Sequence, residues 1–292
     1  MLLKNRLRKT LLHPSRLFIG ILFLALLFVF LQLQFSKPVG AALTVKAKLV
    51  KTIKTSSWSP PSPDPSGIAL QGSKLIITDA EVEEMSIYKG KNYFESSLSG
   101  SLSSTGDTTS FTKEPAGVAV GQGTYFFSDD GKKRVFKVNP GSDKKIGTSD
   151  DKISSFSTSS FGSSDPEGIA FGNGKLYIAD GVGSEVYIVD PSGGKASHFD
   201  VGKYGVKDPE GIEFNSDNGN LFVLGNGKSK LIIEVTTQGK LVRNIDISAA
   251  GAKKPAGLAY SPGNKHFYIV DRGVDNNSNP NENDGKIYEL SF

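Results

Sequence analysis

Two glutamates, Glu167 and Glu210, occupy the same place in a repeated phrase, DPEG, 43 residues apart. A pair of carboxylates with carbonyl and amide oxygens close by is a suitable ligand set for a hard cation such as calcium. The phrase recurs as DPSG at Asp64, EPAG at Glu114 and KPAG at Lys254. The variable position therefore reads Ser66, Ala116, Glu167, Glu210 and Ala256, and three units out of five do without an acid there. A second set of oxygens ends the next apolar run of each unit: Asp79, Asp129, Asp180 and Asp271, with Asn226 following the run in the fourth unit. Asp180, Asp271 and Asn226 are candidate ligands alongside the glutamates. The competing reading for such acids is a turn former that accepts backbone N–H bonds.

A third set lies in the segment 271–285, DRGVDNNSNPNENDG, where Asp275, Asn277, Asn279 and Asn281 place oxygens on alternate residues. Pro280 stands where an EF-hand needs glycine and Lys286 where it needs a bidentate acid, so the segment is no EF-hand. A looser calcium loop and a solvated turn both remain open. The insertion 139–151, NPGSDKKIGTSDD, is similar in composition, but Lys144 and Lys145 argue against a cation. Other chemistries find no support. Cysteine is absent, no GxSxG elbow occurs, and none of His13, His198 and His266 has a partner at HExxH spacing.

These residues ride on a repeat. The motif glycines, Gly67, Gly117, Gly168, Gly211 and Gly257, are 50, 51, 43 and 46 residues apart. Each unit carries short apolar runs bounded by Gly, Asp or Pro, as in GIAF, KLYIAD and EVYIVD of the third. Such runs read as strands, and a period of roughly 40–50 residues with about four strands per unit is the signature of a β-propeller. Five blades are counted. A sixth would have to hide between Tyr93 and Thr112, where the chain is mostly Ser and Thr. The last unit has three strands only, and the alternating KAKLVKTIKT at 46–55 belongs to no unit, so that strand is expected to close the ring beside residues 286–292.

Antiparallel connectivity puts the start of each first strand and the end of each second strand at one end of the blade. Glu167, Glu210, Asp79, Asp129, Asp180, Asn226 and Asp271 are therefore expected on one face, at the mouth of the central channel, with the insertion 139–151 on the other.

Ahead of the repeats, a basic stretch and the uninterrupted apolar run LFIGILFLALLFVFL at 17–31 form an export segment, either a cleaved signal peptide or a membrane anchor. Both place the bulk of the chain outside the cytoplasm, and the segment is the only expected membrane contact. Six of the 34 basic residues precede Ala42 with no acid among them, leaving 28 against 30 acidic ones. That balance argues against a nucleic-acid partner. The expected organisation is a signal peptide or anchor over 1–41, a closing strand and Pro-rich connector over 42–63, and an all-β propeller over 64–292.

The phrases DPEGIAF and DPEGIEF, with the strand-ending acids of ITDA, FSDD, IADG and IVDR, resemble exported propellers of the SdiA-regulated and NHL-repeat type. More broadly they resemble the calcium-dependent phosphotriesterase superfamily of gluconolactonases and regucalcin-like proteins. The resemblance covers nearly all of 49–292 and implies the fold. Lys254, where an acid often opens the motif, and Asn226, in place of a strand-ending acid, depart from it. Propellers host unrelated activities, so three functions stand: a binding or interaction module taking a small molecule, glycan or protein at the channel mouth; a metal-dependent hydrolase of lactones or phosphoesters; and a calcium-stabilised cell-surface domain. Ser66, Ala116 and Ala256 leave three blades without an acid at the variable position, which favours the non-enzymatic reading.

Overall fold

A computed structural model describes residues 42–226, 228–274 and 279–292. The apolar run at 17–31, with both readings of it, and the candidate ligands Asp275 and Asn277 lie outside the described residues. The first elements among the described residues are β1 (Leu43–Lys46) and β2 (Lys48–Lys54), and blade one follows from β3 (Pro65–Gln71), β4 (Lys74–Asp79), β5 (Tyr93–Ser97) and β6 (Leu102–Gly106). Blade two is β7 (Gly117–Gly121), β8 (Thr124–Asp129), β9 (Arg134–Asn139) and β10 (Lys152–Ser157). Blade three is β11 (Pro166–Gly172), β12 (Lys175–Asp180), β13 (Glu185–Val189) and β14 (Ser197–Asp200). Blade four is β15 (Pro209–Phe214), β16 (Leu221–Gly225), β17 (Leu231–Val235) and β18 (Leu241–Asp246). Blade five has β19 (Pro255–Ser261), β20 (His266–Asp271) and β21 (Lys286–Ser291) of its own.

The ring is a five-bladed propeller. The Ser/Thr-rich stretch after Tyr93 supplies β5 and β6 of blade one, which removes the six-blade alternative. Serine and threonine suit these strands because β6 is the outermost of its blade and only half-buried.

The chain's beginning closes the ring. β2 pairs antiparallel with β21, from Lys48 opposite Ser291 to Lys54 opposite Lys286, and completes blade five. The preceding residues were expected to continue the same strand. Instead the buried Ala47 donates its N–H to Asp246 O at 2.9 Å, and β1 turns onto blade four as a fifth strand parallel to β18. One segment thus fastens two neighbouring blades. Trp58 holds the connector that follows, donating Nε1–H to Gly100 O at 3.0 Å and packing on Phe94.

Packing between blades explains the unbroken apolar runs of the second strands. In β12, Leu176 and Ile178 pack towards blade two, while Tyr177 and Ala179 pack towards blade four. A strand buried on both faces has no place for alternating polar residues. The seam between blades five and one is built the same way, with Ile53 of β2 joining Ile68, Ile77, Tyr268 and Ile287.

Candidate ligand site at the channel mouth

The five motif glycines meet at the axis. A Cβ on Gly168 would lie 2.6 Å from Glu210 O and 2.8 Å from Gly211 Cα. One on Gly117 would lie 2.7 Å from Glu167 O, and one on Gly257 2.6 Å from Ser66 O. Only glycine lets the inner strands come this close. The ring they form, with Ile68, Val118, Ile169, Ile212 and Leu258, pinches the channel to about 10 Å³. The mouth above this floor is therefore a closed cup.

In four of the five blades the ladder of the inner strand slips around the floor glycine, between Pro65 and Gly67, Pro166 and Ile169, Pro209 and Gly211, and Pro255 and Gly257, whereas the ladder of blade two is regular. Irregularities of this kind re-aim a side chain out of the pleat. In blades four and five they fall at the variable position of the motif, and Glu210 and Ala256 line the cup; Ala116 of blade two lines it without such a slip. Pro65, Pro166 and Pro255 stand opposite Asp79, Asp180 and Asp271, which confirms that first-strand starts and second-strand ends share a face.

Asp180 and Asp271 are committed to the backbone. Asp180 Oδ2 accepts from the N–H groups of Ser164 and Asp165 at 2.8 and 3.0 Å, and its Oδ1 accepts from Gly183 N–H at 2.8 Å. Asp271 Oδ1 accepts from Lys254 N–H at 2.7 Å and from Gly273 N–H at 3.3 Å. Asp79 and Asp129 do the same, Asp79 with Asp64 and Val82 and Asp129 with Lys132. Each of these buried acids ties the loop entering its blade to the turn leaving the second strand, so their recurrence has a structural cause. Asn226 donates to Asp208 Oδ2 at 3.1 Å and borders a cavity in the cup. Asn279 is spent within its own turn, on Glu282 and Asn281.

Other acids, not singled out from the sequence, gather around the glutamates. Asp130, Asp165 and Glu167 each bring a carboxylate oxygen within 4.8 Å of the others, and Glu114, Asp129 and Asp130 do likewise. Asp130 belongs to both groups, so they form one cluster spanning blades two and three. Burial pushes the Glu167 carboxyl well above its usual range; the charge of Glu210 raises it further and Arg272 opposes. Glu210 is raised by burial against the pull of Arg272, with Asp208 and Asp165 adding to the rise. Glu114 and Asp165 are raised by burial first and then by neighbouring carboxylates, Asp130 foremost in each case.

Arg272 is the counterweight. It follows the strand-ending Asp271, and its Nε lies 3.9 Å from Asp64 Oδ1. Burial works against its charge, but Glu210, Glu167 and Asp64 more than restore it. It stands between two cavities of the cup, one of about 200 Å³ bordered by Glu81, Glu84, Glu114 and Asp130, the other of about 450 Å³. The ladder sets Gly225 opposite Pro209, in the column of the strand-ending acids, so Asn226 stands one place after that column and not in it; the following column, Ala80, Asp130, Gly181, Asn226 and Arg272, is the signal that could have found Asp130 and Arg272.

No protein-family model matches this sequence, nor does any curated protein. Solved structures do. A glutaminyl cyclase of Myxococcus xanthus superposes with a TM-score of 0.58 at 15% identity, over 85% of this chain and 97% of that one. The virginiamycin B lyase of Staphylococcus aureus gives a TM-score of 0.48 at 15% identity, over 84% of this chain and 99% of the other. The propeller of a nidogen/laminin complex gives 0.49 at 17% identity, over 72% and 73%. The architecture is a β-propeller. At these identities the likeness concerns the fold, and the function has to be argued from the cup.

Proposed function

We propose that this chain is an exported binding propeller whose cup takes a hard divalent cation, calcium first, on Glu114, Asp130, Asp165 and Glu167. The observation that carries the reading is the convergence of Asp130, Asp165 and Glu167 within 4.8 Å of one another. Burial raises the proton affinity of Asp165 and Glu167 first, and neighbouring carboxylates add to it, Asp130 for Asp165 and Glu210 for Glu167. A cation with oxygen preference relieves that crowding of charge, and 6–8 oxygens suit calcium. The Asp180 and Asp271 carboxylates contribute indirectly, by fixing the loops that carry Asp165 and Lys254.

The test is calorimetric titration of the metal-stripped full chain with calcium, paired with thermal melts. At a hundred times the dissociation constant, calcium should add about 2.7 kcal/mol of stability. Without metal, carboxyls whose folded pKa is raised stabilise the fold below their unfolded pKa, and this is lost as pH rises through the folded value. The metal-free protein should therefore lose stability from about pH 4.5 upward through neutrality, and calcium should cancel the loss. Glu167→Gln with Glu210→Gln should weaken calcium and flatten this pH dependence. No calcium heat and no shift in melting temperature at millimolar calcium would overturn the proposal.

One observation favours a hydrolase as the second reading. Glu210 keeps a proton more readily than an ordinary carboxyl and lies beside Arg272, a pairing suited to proton transfer next to a developing oxyanion. Turnover of simple lactones or aryl phosphoesters, abolished by Glu210→Gln with calcium affinity retained, would establish it.

A further inference from the structure

The two cavities of the cup differ in charge. The larger, about 450 Å³, is bordered by Lys228, Lys253, Lys254 and Arg272 against two carboxylates, Asp208 and Glu210. That is four cations to two acids, in a domain whose totals, these six included, are 28 basic against 30 acidic residues.

Blade five is where the repeat departs from its own pattern. The motif opens with an acid in Asp64, Glu114, Asp165 and Asp208 but with Lys254 in the fifth unit. The position after the second strand is Ala80, Asp130, Gly181 and Asn226 in the first four units and Arg272 in the fifth. Four blades fold without a cation at either position, so the architecture requires neither. Both departures face the same cavity, and Lys253, next in sequence to Lys254, adds a third cation from the same loop. Lys253 Nζ lies 3.5 Å from Asp284 Oδ2, which holds this loop against the segment before β21.

We propose that this cavity is an oxyanion subsite, taking the carboxylate or phosphate group of a small-molecule ligand whose other end reaches the acidic cavity across Arg272. Guanidinium and ammonium groups are complementary in kind, a planar fork beside point charges, and together they suit either oxyanion. Arg272 borders both cavities, so one ligand can touch the anionic and the cationic halves at once. The site then selects compounds carrying an acidic group at one end and, at the other, a positively charged group or a group that ligates the cluster's cation.

The proposal rests on reading the cup as a ligand site, but not on the cation. The purified full chain, stripped of metal with a chelator, is titrated with inorganic phosphate and separately with succinate, and calcium binding is measured on its own. Saturable binding of either anion is expected, weakened at least tenfold in Lys253→Met/Lys254→Met, with calcium affinity unchanged. Lys254→Gln alone should give a smaller loss in the same direction and serves if the double variant does not fold. Phosphate bound with succinate ignored would assign the site to phosphate compounds, and the reverse to carboxylates. Neither anion binding, or binding unchanged in the lysine variants, overturns the subsite. Anion binding without calcium binding would leave the subsite standing and remove the cation reading instead.

Discussion

Gly168→Ala tests the pinched axis directly. The backbone of Gly168 is not in the left-handed region, so alanine meets no conformational penalty and the outcome is set by space. The new methyl would lie 2.6 Å from Glu210 O, 2.8 Å from Gly211 Cα and 2.9 Å from Ile212 N, all of them backbone atoms of blade four. Backbone cannot swing aside as a flexible side chain does, so the cost belongs at the upper end of the overpacking range, about 3 kcal/mol. Alanine's smaller unfolded-state entropy returns about 0.7 kcal/mol. A net loss of about 2 kcal/mol in a domain of this size lowers the melting temperature by roughly 4–8 °C. Gly263→Ala is the control. It sits in an exposed turn with Ser261 Oγ as its nearest neighbour at 3.9 Å, and should be neutral or slightly stabilising. The assay is thermal unfolding of both variants beside the parent. If Gly168→Ala melts within a degree of the parent, the inner strands do not approach as described and the closed floor of the cup is wrong.

Removal of residues 1–55 should abolish cooperative unfolding, because it strips β2 from blade five and β1 from blade four; the comparison is a chain lacking 1–41 only, and equal melting temperatures would refute the closure. Glu234 anchors blade four. Burial opposes its charge, but Asn220, Asn218 and Arg243 outweigh that and lower its proton affinity. Its stabilisation is therefore present above the unfolded pKa and lost as pH falls through the lower folded value. Glu234→Ala, which leaves the half-buried Arg243 guanidinium and the amides of Asn218 and Asn220 without their acceptor, should cost about 1–3 kcal/mol, and denaturant unfolding across acidic pH checks both statements.

The sequence by itself determined the propeller and the closing role of the strand before the repeats, and it favoured five blades with six left open until β5 and β6 were placed. These follow from local patterns: apolar runs of strand length, Gly and Asp at their ends, and a phrase returning every 43 to 51 residues. It also determined that Glu167, Glu210 and the strand-ending acids share one face, since antiparallel connectivity alone dictates that. What it could not separate was which of those acids are spent on backbone N–H groups. Asp180 and Glu167 are both candidate ligands in the chain, but one is buried under three amide donors and the other meets the carboxylates of Asp130 and Asp165. Tertiary structure also decided the partners. Asp130 comes from the end of one blade's second strand and Asp165 from the opening of the next blade, a meeting fixed by the angle between blades and by no spacing in the sequence. The parallel pairing of Leu43 with Arg243 is of the same kind. A strand's alternation reports that one side is covered, whereas the strand that lies along its edge is chosen by how the ring closes.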